Sequence, residues 1–434
     1  MDTYFLITYG CQMNLNDSEI IDAMMDRLNY IKVKNPEEAG LIIFNTCCVR
    51  EGVDEKVYGR LGDYKRLKRK NPSLLIVVCG CLAQKDGSEM LRRAPHVDLI
   101  LGPNQLGNLM DLLCSIKKGL KSPVHTEWDL SEQEIVPKRV SKVTAWVPIS
   151  YGCDNFCSFC IVPYVRGRER SRPSDEILNE IKNLAFEGYK EITLLGQNVN
   201  TYGKGLKENI DFPGLLEKVN SIEGIERIRF TTSHPKDFRF DFIKKISKLP
   251  KVCEWFHLPL QAGDDEILKN MNRGYTVGDY RELIENIRKE IPHSTISTDL
   301  IVGFPGEREE QFENTLQVVS QIEYDQAFMF KYSIRSGTKA AEIKDQIEEE
   351  KKLQRLNRLI EVQNRISQKK NIEMEGKIVE ILVEGKSKKN PNRFSGRTRG
   401  NKLVAFEGMR DFTGQLVSVN IEKGFTWGLV GKQI

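Results

Sequence analysis

The chain lacks a long apolar run. Its most apolar stretch, Leu74 to Val78, falls far short of the roughly 20 residues a membrane-spanning helix needs, so no membrane segment is expected. No basic region followed by a cleavable apolar segment occurs at Met1-Asp-Thr-Tyr-Phe-Leu-Ile-Thr8, which argues against a secretory signal and for a cytoplasmic protein. A disordered composition is also absent. Charged residues make up 29% and aromatics 8% of 434 residues, which is ordinary for a globular chain long enough for two or three domains. The net charge of +4 is too small to imply a nucleic-acid partner by itself. In this compartment the ten cysteines are expected to be metal ligands and not disulfides.

Three of them, Cys153, Cys157 and Cys160, stand in Ile149-Ser-Tyr-Gly-Cys-Asp-Asn-Phe-Cys-Ser-Phe-Cys-Ile-Val-Pro-Tyr164. Three thiolates in one short loop suit iron–sulfur clusters, zinc or copper(I). They are one short of the four that usually saturate a four-iron cluster, which leaves one iron open. Tyr151, Phe156, Phe159 and Tyr164 interleave with the sulfurs and would shield a cluster from water.

Residues 1–118 alternate strand and helix. Tyr4–Thr8, Leu41–Phe44 and Leu74–Val78 read as short buried strands separated by helix-length segments, the pattern of an open parallel sheet. Each ends close to cysteine: Cys11, Cys47 and Cys48, Cys79 and Cys81. The carboxyl edge of such a sheet is where ligands bind, so a second metal site is expected there. Strand geometry does not say which member of each pair is the ligand. Residues 119–142 have few apolar positions and read as a linker, with Trp128 docking on a neighbour.

From Val143 the alternation restarts. Strands are expected at Ala145–Ser150, Glu191–Leu195, Arg227–Thr231, Trp255–Pro259, Ser297–Ile301 and Gln326–Phe330, giving six βα units curled into a partial barrel with its active site at the carboxyl edge. Residues 342–371 form a long polar helix leading out of that barrel. Beyond it, apolar strands at Lys377–Val383, Leu403–Phe406, Gln415–Ile421 and Trp427–Gly431 alternate with glycine turns, as in a small β-barrel. The fold class is α/β, with 1–118 an amino-terminal domain, 143–371 the core and 372–434 the barrel.

Polar groups follow several core strands. Gln197, Asn198, Asn200 and Thr201 follow one; Ser233 and His234 follow another; Gln261 follows a third. Gly303 lies in a turn that permits close approach of a flat ligand such as adenine. Gln197, Ser233, Gln261 and Gly303 are the candidate cofactor contacts. His234 and His257 stand as acid–base candidates or as structural histidines. Arg166, Arg168, Arg170 and Arg172 alternate just after the cysteine loop, and if extended would point one way, toward a phosphate-rich substrate. From Lys370 onward 12 Lys and Arg face 7 Asp and Glu. The cluster Lys386, Lys388, Lys389, Arg393, Arg397, Arg399 and Lys402, with Phe394 among them, reads as an RNA-binding loop. Arg166, Arg168, Lys388, Lys389, Arg393, Arg397 and Arg399 are the candidate RNA contacts.

The cysteine loop resembles the radical S-adenosylmethionine (SAM) signature, with Phe159 as the aromatic before the last cysteine. Taken with Tyr9-Gly-Cys-Gln-Met-Asn14, Asn45-Thr-Cys47, Gly80-Cys81, Val165–Pro173, Leu195–Asn200, Thr231–Pro235 and Ile301–Glu307, the whole chain resembles the methylthiotransferases. It is most like the tRNA-2-methylthio-N6-dimethylallyladenosine synthases. The resemblance implies an amino-terminal methylthiotransferase domain, a radical SAM core and a TRAM domain. It also implies two [4Fe–4S] clusters, on Cys153, Cys157 and Cys160 and on Cys11, Cys47 and Cys81, with Cys48 and Cys79 as non-ligands. Two SAM per turnover would serve as radical source and methyl donor. The implied substrate is tRNA carrying dimethylallyladenosine next to the anticodon, modified at C2 by a monomer with outside electron and sulfur donors. Relatives acting on threonylcarbamoyladenosine or on a ribosomal-protein aspartate, and a non-catalytic iron–sulfur RNA-binding protein, are the alternatives.

Overall fold

The computed structural model describes residues 2–48, 52–119, 123–128, 135–388 and 390–434. Contacts divide them into two compact units. One holds residues up to Val140 with Tyr151–Asp154 and Cys160–Glu169; the other holds Ser141–Ser150, Asn155–Phe159 and Arg170–Ile434.

In the first unit six strands make one parallel sheet, ordered Ile31–Lys32, Thr3–Thr8, Leu41–Thr46, Leu75–Gly80, Leu99–Leu101, Val124–His125. Leu41–Thr46 is buried throughout, as a strand covered on both faces must be. Ile42 and Phe44 face one helical layer, Leu41 and Ile43 the other. The stretch expected as a linker is largely built into this unit. Val124–His125 pairs at the sheet edge. Arg139 forms a buried ion pair with Glu19 at 2.8 Å, and Lys138 N–H donates to the Glu19 carbonyl. Polar docking, which leaves no apolar period, is why the sequence hides it. Residues 120–122 and 129–134 of that stretch lie outside the described residues.

In the second unit, Thr144–Pro148, Glu191–Leu195 and Arg227–Phe230 form one parallel ladder. Trp255–His257, Thr295–Val302 and Gln326–Lys331 form another. Main-chain hydrogen bonds join the two, Ile228 donating to Lys251 and Cys253 to Ile228. This is the open six-stranded partial barrel. The helix Glu349–Ile372 does not lead away from it. Leu359 and Ile366 are buried, and Arg355 is buried with its Nη1 2.7 Å from the Glu307 carboxylate. The buried charge pair anchors a helix whose surface otherwise reads as solvated.

The last strands close a five-stranded barrel, ordered Ile378–Lys386, Arg393–Thr398, Leu403–Glu407, Gly428–Gln433, Leu416–Phe425. The segment expected as a basic loop contains the second of these. Phe394, Gly396 and Thr398 alternate inward, and Arg393, Ser395 and Arg397 outward, the period of a half-buried strand.

The barrel docks on the amino-terminal ends of the core strands. Arg399 pairs with Glu254, its Nε and Nη2 2.7–3.0 Å from the carboxylate, and donates to the carbonyls of Pro250 and Val252. Arg229 donates to the carbonyls of Thr398 and Arg399, and Arg227 to that of Arg397. Lys402 pairs with Asp325 at 3.1 Å, and Thr295 Oγ1 donates to the Gly400 carbonyl. Each bond to a charged group is worth about 1.5–3 kcal/mol. Arg399→Ala is therefore expected to speed amide hydrogen exchange in Arg393–Glu407, read by mass spectrometry, and to leave Leu41–Thr46 unchanged.

Candidate active site

The carboxyl ends of the core strands carry buried polar atoms with no hydrogen-bond partner among the described residues: Ser150 Oγ, both side-chain polar atoms of Asn200, Ser233 Oγ, His234 Nε2 and Gln261 Oε1. Neighbouring strand ends are stitched together. Ser150 lies against Gly196, where a Cβ would come within 2.6 Å of its hydroxyl. Val199 N–H donates to Thr232, Ser233 N–H to His257, and Gln261 N–H to Asp299. Thr232 and Gln261 hold left-handed φ of 62° and 75°, conformations uncommon for residues other than glycine and strained where they persist. Each orphaned group costs about 1–3 kcal/mol, so a polar ligand such as SAM fits this rim.

Asn198 and Thr201 take the structural role instead. Asn198 bridges Asp237 and the His234 N–H, and Thr201 Oγ1 donates to the Asn198 carbonyl. Gln197 is half-buried beyond the strand end. Gly303 departs from its expected role: a Cβ there would come within 2.5 Å of Lys352, and its N–H donates to Glu307. The glycine admits the helix at Lys352.

The register places Trp255 and His257 beside Thr295 and Ser297, and Asp299 and Ile301 beside Phe328 and Phe330. Ile296, Leu300 and Val302 alternate into the helical core. The opposite face is an aromatic wall on which Phe328 and Phe330 stay 43% and 46% exposed. His257 sits in it, Nδ1 3.0 Å from Ser297 Oγ and Nε2 3.4 Å from Asp299.

His234 differs. Burial, then the charges of Arg273 and Lys236, push its pKa down to about 2. Its Nδ1 accepts from Lys236 N–H, so the proton of the neutral ring is on the orphaned Nε2. It is a hydrogen-bond donor, not a proton shuttle.

In the cysteine loop, Cys153 and Cys157 are buried and Cys160 is half-buried. Cys153 N–H donates to the Gly167 carbonyl, and Gly152, at φ 72°, has no room for a Cβ beside Arg168. Cys157 Sγ accepts from Arg273 Nη1 at 3.3 Å. Phe159 packs with Phe304 and Tyr332.

The amino-terminal cysteines are drawn together by two glycines and two asparagines. Gly10, at φ 136°, lets its loop approach Cys47, whose Cβ would lie 2.7 Å from an added Cβ; Gly80, at φ 95°, lets its strand end approach the Thr46 carbonyl. Asn14 Oδ1 accepts from the Cys11 N–H and thiol, while its Nδ2 donates to Asn45 and Thr46. A hydrogen bond from Cys48, then the Arg166 guanidinium, hold the Cys81 thiol below its ordinary pKa against burial, which favours a metal-binding thiolate. The Cys48 thiol is raised as the donor to Cys81, and Cys79 is raised by burial, its thiol donating to the Phe44 carbonyl. The Cys79 thiol, buried and bonded to the Phe44 carbonyl, supports Cys81 over Cys79. Among the described residues no three His, Cys, Asp or Glu converge on a single metal position. A cubane asks less, because each thiolate binds a different iron.

The expected arginine row is not built. Arg166 is buried with its Nη2 2.8 Å from Asp17, Arg168 is exposed and pairs with Asp154, and Arg172 pairs with Glu180. The segment turns at Gly167, at φ 82°, so alternation in sequence is not alternation in space. Arg166 and Arg399 are corrected from RNA contacts to internal ion pairs. Arg397 pairs with Glu384, Arg393 pairs with Glu407, and Lys388 is exposed. Lys389 lies outside the described residues. Sequence reasoning missed Arg273, Asn14 and Asn45 as shaping residues; for Arg273 no motif signals it.

Three family patterns match in order: "Uncharacterized protein family UPF0004" over residues 3–102, "Radical SAM superfamily" over 147–319 and "TRAM domain" over 373–432. They define a radical SAM enzyme with a TRAM barrel, and the superfamily carries SAM and a [4Fe–4S] cluster. A Clostridium beijerinckii relative named "tRNA-2-methylthio-N(6)-dimethylallyladenosine synthase" is 50% identical, covering 99% of this chain and 95% of its own. One of the same name from Clostridium botulinum is 52% identical over 99% and 97%. The chain belongs to this synthase family. Among solved structures, the radical SAM methyltransferase TsrM from Kitasatospora setae aligns at TM-score 0.56 and 13% identity, over 79% of this chain and 75% of its own. That likeness shows the fold alone. Among the described residues no helix is long and apolar enough to cross a membrane.

Because folded His234 refuses a proton that the unfolded ring accepts below about pH 6.5, stability falls as pH drops from there. In an NMR titration the ring resonances that vanish in His234→Gln are expected to stay at neutral positions from pH 7.5 to 5.

Proposed function

We propose that this enzyme methylthiolates C2 of N6-(dimethylallyl)adenosine next to the anticodon of tRNA. The observation that carries the reading is identity of about one half, end to end, with relatives named for that product. A C2–H bond on a purine is too inert for acid–base chemistry, so a cofactor must supply the reactivity. Cys153, Cys157 and Cys160 would hold one [4Fe–4S] cluster, and Cys11, Cys47 and Cys81 a second. When bound, these groups supply a carbon radical from SAM at one site and the sulfur to be transferred at the other, with further SAM as methyl donor.

The chain's own residues then have definable work. Ser150, Asn200, Ser233 and Gln261 give their unused hydrogen-bonding capacity to SAM, with the His234 Nε2–H as a fixed donor. The wall of Trp255, Phe328 and Phe330 excludes water and offers apolar surface to the purines. Lys388 and Arg393, beside one hairpin of the barrel, and Lys389 contact the tRNA backbone, with the salt dependence such contacts carry. Electrons and sulfur come from outside donors, and the enzyme works as a cytoplasmic monomer.

Anaerobically reconstituted protein given SAM, dithionite and dimethylallylated tRNA is expected to yield 5′-deoxyadenosine and the methylthio nucleoside by mass spectrometry. No 5′-deoxyadenosine above background would end the enzyme reading. A methylthio group on another base would end the substrate assignment. Replacing Cys11, Cys47 and Cys81 together by Ala, or Cys153, Cys157 and Cys160 together, is expected to remove about half the iron in each case.

A further inference from the structure

The stretch 270–275 belongs to none of the sequence motifs, yet it holds the loop that carries Cys157. Ser158 Oγ donates to the Asn270 carbonyl at 2.8 Å and its N–H to the Met271 carbonyl at 3.0 Å. The Asn272 side chain donates to the Asn155 and Phe156 carbonyls at 3.2 and 3.1 Å. Phe156 is kept at φ 46°, a conformation an aromatic residue adopts only when its surroundings impose it.

Arg273 completes the clamp. It is 4% exposed, and its hydrogen bonds run in three directions. Nη2 donates to the Pro259 carbonyl at 2.9 Å, Nε to the Tyr275 hydroxyl at 3.1 Å, and Nη1 to Cys157 Sγ at 3.3 Å. The hydroxyl is itself fixed, 2.8 Å from the Leu260 carbonyl. Among the described residues no carboxylate shares this guanidinium in an ion pair, so the thiolates of a bound cluster would be the negative charge beside it.

We propose that Arg273 is a positioning residue for the cluster of the cysteine loop, and that its charge raises the potential at which that cluster accepts an electron. The inference rests on Cys157 being a ligand. Reduction adds one negative charge to a centre already bearing three thiolates. A guanidinium fixed against one of them in a low-dielectric interior stabilises the reduced form more than the oxidised one. The other nitrogens are held by main chain and phenol, so the group has no alternative place to turn when the cluster changes charge.

The test uses the full chain carrying Cys11→Ala, Cys47→Ala and Cys81→Ala, which leaves one cluster, reconstituted with iron and sulfide and titrated with dithionite under EPR. Arg273→Gln is expected to keep its iron and to shift the midpoint negatively, so that at the parent's midpoint the reduced-to-oxidised ratio falls about tenfold (59 mV for a one-electron couple). Arg273→Lys, which keeps the charge, is expected to recover most of that shift. Full iron with an unchanged midpoint in Arg273→Gln would overturn the proposal. If that variant loses its cluster, 15N-arginine labelling of the same chain with Arg273 intact decides. Pulsed EPR is expected to show an arginine nitrogen coupled to the reduced cluster, and its absence would equally overturn the proposal. A parent chain that takes up no iron would remove the ligand assignment itself, which is a different result.

Discussion

A buried polar atom without a partner is costly, and the core gathers several of them on one rim. At the opposite, amino-terminal ends of the same strands, carbonyl groups and charges are capped by the docked barrel through Arg227, Arg229, Arg399 and Lys402. At the carboxyl ends, Ser150, Asn200, Ser233, His234 and Gln261 keep unused capacity. The fold thus covers one end of the core strands with a docked domain and leaves unused hydrogen-bonding capacity at the other. Strained backbone at Thr232 and Gln261 lies on that same rim, where strain is retained only if surrounding structure enforces it.

The amino-terminal unit applies the same rule to sulfur. Parallel strands deliver cysteines at their carboxyl ends, and glycines at positions 10 and 80 remove the side chains that would hold those ends apart. The Asn14 and Asn45 side chains then fix the approach. The cysteines differ in their electrostatic surroundings. Cys81 is held low beside Arg166, whereas Cys79, on the other face of the sheet, is a protonated core residue bonded to a carbonyl.

Much of this is legible in sequence because apolar runs of four or more residues mark strands. Leu41–Phe44 is readable that way, and the six core strands by shorter apolar stretches that each end in a polar or glycine-bearing segment. Leu99–Leu101 and Val124–His125 are too short to show a period, and the second hides in a polar stretch. Arg393–Thr398 was obscured by its charge, although its alternation of Phe394, Gly396 and Thr398 with polar residues carried the strand signal. Strand-end residues were placed at the rim by position alone. Which of them face a ligand depends on competing neighbours: Asn198 found partners and Asn200 did not. Gly303 and Arg399 show the limit most clearly. A turn glycine and a basic side chain look like ligand contacts until the helix at Lys352 and the carboxylate of Glu254 occupy them.

The central claim is that the rim of the partial barrel, and not another surface, takes SAM. Hydrogen–deuterium exchange of the anaerobically reconstituted protein with and without SAM tests it directly. Slowed exchange confined mainly to the segments Asn198–Tyr202, Thr231–His234 and Leu260–Gly263, with the closed barrel of residues 378–433 unaffected, is the predicted result. Saturating SAM that leaves those three segments unchanged, or protects the closed barrel in their place, would contradict it.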